Sequence, residues 1–174
     1  VQQEEMKVEQ MLRPHSRLPM KDAKRRTRYP DYKLTPSGLQ LKDVQLGRAT
    51  APELREGDTA VIAWEGYTIN YFGHPYETRK LQDACGVQQE PLRFKVGDAS
   101  VIPGIDEAVR GMREDGIRQL IVPIELGYDP EKHLQPRPST AMGQRALDFV
   151  LDNAGGLMDK TLLINIRLKK AYRA

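Results

Sequence analysis

The residue types that most often bind metals are few in this chain and lie far apart. The three histidines are His15, His74 and His133. They show neither helical spacing nor pairing with cysteines, whereas a zinc site needs several such ligands close together. The sequence therefore predicts no metal site.

Nucleophilic and phosphate-binding motifs are also missing. Cys85 is the single cysteine, and no His/Asn motif of a thiol enzyme surrounds it, so we interpret it as a small loop residue. Gly97, Gly104 and Gly111 are too widely spaced for a phosphate-binding loop. The sequence therefore predicts neither a thiol enzyme nor a phosphate-binding loop.

The charge of the chain is divided unevenly. Residues 1–33 hold nine Lys/Arg and five Asp/Glu, and the other 141 residues hold 18 and 19. We interpret residues 1–33 as a basic extension and residues 34–174 as one folded domain, which has no charge reason to bind nucleic acid. Apolar runs are too short to span a bilayer, which predicts a soluble or peripheral chain.

Two interpretations of the extension stay open. By composition it is a solvated, partly disordered tail. Alternatively it is an arm that orders against an acidic protein or an anionic lipid surface. In the second case an apolar face and a basic cluster would make the contact: Val8, Met11, Leu12, Lys21, Lys24, Arg25, Arg26 and Arg28.

Residues 101–128 organise the rest of the chain. Pro103 suits a first helical turn, and apolar residues then recur at steps of three and four (Ile105, Ala108, Val109 and Met112). This predicts a short helix over 103–112. Residues 117–122 have the apolar content of a strand, which Pro123 ends.

The remaining pattern predicts an antiparallel sheet. Segments around 38–44, 59–69, 91–97 and 161–168 are typical of strands, residues 81–89 and 129–142 of loops, and residues 144–151 of a short helix. Five or six strands with one main helix on one face predict an α+β fold.

The ordered motifs Val-Ile-Pro-Gly-Ile-Asp-Glu-Ala-Val (101–109) and Val-Pro-Ile-Glu-Leu-Gly-Tyr (122–128) resemble those of the FKBP-type peptidyl-prolyl isomerases, or immunophilins. The segment 143–151 is similar to the plant and algal forms of the thylakoid lumen. The resemblance covers residues 34–171 and implies a twisted antiparallel half-barrel wrapped around the helix that begins at Pro103. It implies a chloroplast location, no cofactor, and proline-containing polypeptides as partners.

The resemblance implies a site in which donors hold the substrate and an apolar pocket favours a twisted amide. The catalytic groups would be the Glu77 carboxylate, the Ile102 backbone N–H and the Tyr128 hydroxyl. The pocket would be formed by Trp64, Tyr76, Leu92, Phe94, Val101, Ile105 and Ile164. The alternative is that Trp64, Phe94, Ile105 and Ile164 are ordinary core residues, and that Glu77 forms a loop ion pair.

The chain also departs from the family pattern. Active members usually have Tyr, Asp, Phe, Trp and Phe at the positions of Trp64, Glu77, Leu92, Ile105 and Ile164. Ile105 offers no flat ring on which a prolyl ring can stack. We therefore expect either a weak prolyl isomerase acting on thylakoid proteins, or a non-catalytic accessory subunit or assembly factor of a photosynthetic membrane complex.

Overall fold

A computed structural model describes residues 27–69, 73–152 and 159–174. One sheet of seven strands dominates it: β1 (Lys33–Leu34), β2 (Gln40–Gln45), β3 (Thr59–Thr68), β4 (Pro75–Glu77), β5 (Leu92–Lys95), β6 (Ile117–Val122) and β7 (Leu162–Tyr172). Its order is β1-β2-β6-β7-β3-β4, with β5 also paired to β3. All the strand pairs are antiparallel, and the α+β fold class is confirmed.

The two longest strands form the centre of the sheet. β3 alternates between buried and half-buried residues, as a strand with one face on a core should. Its register with β7 runs from Thr59 opposite Tyr172 to Thr68 opposite Leu162. This pairing places Trp64 opposite Ile166 and Ile164 opposite Gly66.

The main helix, α2 (Pro103–Val109), lies in the core on one face of the sheet. The predicted helix forms, but it ends three residues earlier than predicted because the backbone becomes extended at Arg110. The Arg118 Nη1 atom on β6 donates to the Ala108 carbonyl at 2.6 Å and to the Arg110 carbonyl at 3.3 Å. These bonds satisfy carbonyls that the helix end leaves unpaired.

The prediction of a loop over 81–89 is wrong in its first half, where α1 (Arg79–Cys85) forms. Thr78 caps it by accepting from the Leu81 N–H at 3.2 Å, and Gly86 ends it in the left-handed conformation at φ 68°. Cys85 is therefore an exposed helix residue. The third helix, α3 (Ala141–Leu151), begins three residues before the predicted one because Thr140 caps it.

Residues 27–32 pack on the opposite face of the sheet. Tyr32 is buried with Ile121 and Leu163, and the Gln40 side-chain amide donates to the Thr27 carbonyl and accepts from the Tyr29 N–H. The boundary predicted after residue 33 stays a proposal, and this packing favours one nearer residue 27.

Of the residues predicted to dock a partner, only Arg28 lies within the described part, and it is exposed. The other seven, Val8, Met11, Leu12, Lys21, Lys24, Arg25 and Arg26, lie outside the described residues. No helix in the described ranges is both long and apolar enough to cross a membrane.

Candidate functional site

The residues predicted for the pocket divide between an open cavity and the buried core. Three of them, Trp64, Glu77 and Leu92, line the cavity, which has a volume of about 350 Å³. The other seven belong to the hydrophobic core, each no more than 6% exposed: Tyr76, Phe94, Val101, Ile102, Ile105, Tyr128 and Ile164. Their role as a site stays a prediction.

The floor predicted for the pocket is tightly closed and consists of two aliphatic residues and one aromatic residue. Ile105 and Ile164 are 0% exposed, and Phe94 is 5% exposed. Burial of this kind is also what an ordinary core requires, so the alternative interpretation of these three residues stays open.

The walls are aromatic. The ring centroids of Trp64 and Tyr76 lie 5.9 Å apart, and those of Tyr76 and Tyr128 lie 6.5 Å apart at a nearly perpendicular angle of 82°. Such edge-to-face packing is favourable. Gly66 makes room for it, because a Cβ atom there would lie 2.2 Å from the Tyr76 ring.

The first predicted donor already has an acceptor. The Ile102 backbone N–H donates to the Gln135 carbonyl at 2.8 Å. The Gln135 N–H in turn donates to the Ser100 carbonyl at 2.9 Å, which fixes residue 135 against Val101 as a parallel bridge. Gln135 thus covers the position that the resemblance assigns to a substrate carbonyl.

The second predicted donor is used in the same way. The Tyr128 hydroxyl donates to the Pro136 carbonyl at 2.6 Å. Burial raises the pKa of Tyr128 above the ordinary tyrosine value, so the hydroxyl keeps its proton and stays a donor throughout the physiological range. The Arg137 guanidinium covers the Tyr128 ring at 5.4 Å from its centroid, a favourable cation–π distance.

The predicted carboxylate is enclosed. Glu77 is 2% exposed and accepts from the Ser139 N–H at 2.5 Å, the Ser139 hydroxyl at 2.9 Å and the Gln82 side-chain amide. These bonds compensate for burying its charge. The ion pair offered as the alternative for Glu77 is not among the salt bridges of the described residues.

Sequence reasoning missed the segment that makes these contacts. We name residues 135–139, Gln-Pro-Arg-Pro-Ser, the site loop. Four of its members, Gln135, Pro136, Arg137 and Ser139, also line the cavity. The only available signal was a proline-rich stretch following the motif that ends at Tyr128, and that stretch by itself indicates no more than a loop.

The chemistry open to this arrangement is narrow. It offers two neutral donors, one carboxylate and apolar walls, and the Ser139 hydroxyl that lines the cavity is bonded to that carboxylate. No group of three or more metal-ligating side chains comes together within residues 27–69, 73–152 and 159–174. Such a site can hold two successive carbonyls of an extended peptide and can surround the residue between them with apolar surface.

The sequence of the chain is similar to those of known proteins. Residues 51–169 match the family described as FKBP-type peptidyl-prolyl cis-trans isomerase. The chain is 47% identical over 152 residues to the Arabidopsis thaliana protein named peptidyl-prolyl cis-trans isomerase FKBP19, chloroplastic. That match covers 84% of this chain and 58% of the relative. A Streptomyces anulatus protein named FK506-binding protein is 33% identical over 93 residues, which cover 53% of this chain and 68% of that protein.

Solved structures share the fold. The crystal structure of AtFKBP13 superposes with a TM-score of 0.53 at 22% identity, covering 80% of this chain and 97% of that one. FkpA from Escherichia coli gives a TM-score of 0.56 at 20% identity, covering 98% of this chain and 65% of that one. At these identities the likeness concerns the fold alone.

Proposed function

The chain belongs to the FKBP-type peptidyl-prolyl cis-trans isomerase family, and we propose that it binds X–Pro segments of polypeptides and isomerises them slowly. Its sequence spans 58% of the length of the Arabidopsis relative, so the activity of any longer protein is part of this proposal. The roles proposed for the site residues are those that the resemblance implies.

One observation carries the proposal. The Ile102 N–H and the Tyr128 hydroxyl hold the carbonyls of Gln135 and Pro136, the two carbonyls that flank a prolyl residue. The spacing of the two donors therefore fits an X–Pro unit. Pro136 itself is buried in the site, which supports the view that a prolyl ring fits there.

The expected chemistry needs no covalent step. Rotation about a peptide bond faces a barrier of about 18–20 kcal/mol because the planar amide is conjugated. A dry pocket favours the twisted form, whose dipole is smaller, and fixed donors on the neighbouring carbonyls hold the chain while one bond turns. An aliphatic floor at Ile105 gives a prolyl ring no aromatic partner, so we expect a low rate.

The test is an exchange measurement by NMR on a Phe-Pro peptide, whose uncatalysed isomerisation takes tens to hundreds of seconds. We expect measurable acceleration by the intact chain, together with a shift of the Ile102 amide resonance but not of the exposed Val44 on β2. The proposed catalysis is contradicted if neither the intact chain nor a chain whose site loop is replaced accelerates the exchange.

We further propose that the protein works in the chloroplast, in the thylakoid lumen. The chloroplastic relatives of Arabidopsis support the organelle, and the similarity of residues 143–151 to lumenal forms supports the compartment. A second candidate function follows from the occupied donors and the aliphatic floor: an accessory subunit or assembly factor of a photosynthetic membrane complex, docked through residues 1–33.

A salt wash tests the second candidate. The extension carries the positive charge of the chain, so contacts made by it should weaken as the Debye length falls from about 10 Å at 0.1 M to about 3 Å at 1 M. Thylakoid membranes carrying the intact chain, or a chain lacking residues 1–26, are washed at rising salt. Equal retention of both forms at every salt concentration contradicts docking by the extension.

A further inference from the structure

The site loop bonds all three polar groups that the proposed function reserves for catalysis. Its carbonyls at 135 and 136 accept from the Ile102 N–H and the Tyr128 hydroxyl, and Ser139 donates twice to Glu77. We propose that the site loop is an internal pseudo-substrate: it occupies the site of the same chain and must leave before a prolyl peptide can bind. This inference rests on the proposed function.

Exposure supports the blockage. Ile102 is 0% exposed and Tyr128 is 6% exposed, so neither donor can meet an incoming carbonyl while the site loop stays. The open cavity of about 350 Å³ lies beside the site loop, between it and residues 88–93. An incoming peptide can therefore first contact Trp64 and Leu92 in this cavity without reaching the donors.

The site loop is fastened at both ends. Before it, Leu134 is buried, and at its first residue the Gln135 N–H donates to the Ser100 carbonyl at 2.9 Å. After it, Thr140 caps α3, and α3 packs against β4, where a Cβ atom at Gly143 would lie 2.1 Å from the Tyr76 carbonyl oxygen. Release therefore has to occur between two fixed points, and replacing residues 135–139 alone changes only the blocking segment.

The energetic consequence is a population effect. A site that is open for a fraction of the time shows an apparent dissociation constant equal to the intrinsic constant divided by that fraction. Weakening the site loop therefore strengthens the binding of external peptides without altering the Ile102 and Tyr128 donors. The proposal thus predicts that mutation of the site loop raises the affinity for an external peptide. If the loop instead completed the site, the same mutation would lower that affinity.

The main experiment replaces residues 135–139 by Gly-Ser-Gly-Ser-Gly. This keeps the length but removes the buried Pro136 ring and increases the conformational entropy lost on closing. We expect the affinity for a Phe-Pro peptide, followed at the Ile102 amide, to rise about tenfold or more. A peptide copying residues 134–139 should bind the replaced chain at the same amide. The matched control is Pro130→Ala, at an exposed proline outside the site loop, which should change nothing.

The outcomes separate this inference from the proposed catalysis. Tighter peptide binding together with faster isomerisation supports both. Tighter binding without any isomerisation supports the internal pseudo-substrate and contradicts catalysis. Affinity and kcat/KM both within twofold of the intact chain overturn the pseudo-substrate, whatever the basal activity. If the replaced chain does not fold, Pro136→Ala and Ser139→Ala serve instead, and each should raise the peptide affinity about threefold. The inference is overturned if neither variant raises the affinity.

Discussion

The floor of the candidate site and the loop that covers it are built by different forces. The floor, represented by Ile105 and Ile164, is buried completely in the hydrophobic core. The site loop is held mainly by hydrogen bonds: Gln135 and Pro136 accept from Ile102 and Tyr128, and Ser139 donates to Glu77. The floor should therefore control stability, and the site loop should control access.

The difference shows how the apolar walls of a pocket can stay packed while a hydrogen-bonded loop blocks access to it. Apolar packing needs native density, and each lost methylene is costly. A hydrogen bond between protein groups replaces bonds to water, so its net contribution is only about 1 kcal/mol. A few such bonds can close a site most of the time and still allow it to open.

The largest effect on stability is expected at the floor. Ile164→Ala removes fully buried methyl groups and should lower the free energy of unfolding by about 2–5 kcal/mol. Guanidinium or urea denaturation measures the change. The matched control is Ile124→Ala at a residue that is 49% exposed, where we expect at most about 0.5 kcal/mol. Equal effects at both positions would show that Ile164 is not part of a packed floor.

A smaller effect is expected where the site loop is fastened. Tyr128→Phe keeps the ring and removes the hydroxyl that donates to the Pro136 carbonyl, which should cost about 1 kcal/mol. The thermal midpoint should fall by about 2–4 °C for a chain of this size. Tyr172→Phe, at a residue 49% exposed, is the control and should leave the midpoint unchanged. A loss of more than about 10 °C for Tyr128→Phe would place Tyr128 with the floor instead of with the site loop.

The contrast also explains what the sequence could predict. The spacing of Ile105, Ala108 and Val109 predicted α2, and alternation over residues 91–97 predicted β5, because a half-buried element repeats its apolar residues with a fixed period. The content of strand-forming residues predicted β3 and β7. The family motifs then predicted the pocket residues, of which three line the cavity and seven are buried in the core. Helix α1 was missed because it is short and its signals are two caps, Thr78 and Gly86.

The occupied donors could not be predicted in the same way. The bond from Ile102 to Gln135 and the bonds from Ser139 to Glu77 join residues that are 33 and 62 positions apart in the chain. Such bonds depend on where a loop returns in space, and hydrogen bonding leaves no periodicity in the sequence. Val8, Met11 and Leu12 lie outside the described residues, so the predicted docking role of these residues stays a proposal.

The smallest effect is expected from pH. Because burial raises the pKa of Tyr76 and of Tyr128 above the ordinary tyrosine value, both hydroxyls are protonated between pH 6 and 9. A folded-state pKa above that of the unfolded chain stabilises the fold below about pH 10, and this stability is lost as the pH rises further. Peptide affinity should change less than about twofold from pH 6 to 9. A clear step in that range would show that another group controls the site.

Hydrogen exchange at the Ile102 amide tests the central claim most directly, because that N–H bonds the Gln135 carbonyl only while the site loop is in place. We predict protection in the intact chain, but less than that of Ile164, which lies between two neighbouring strands. Replacing residues 135–139 should reduce the protection at Ile102 about tenfold or more and leave Ile164 unchanged. Equal protection of Ile102 in both chains, or none in the intact chain, would contradict a site occupied by its own loop.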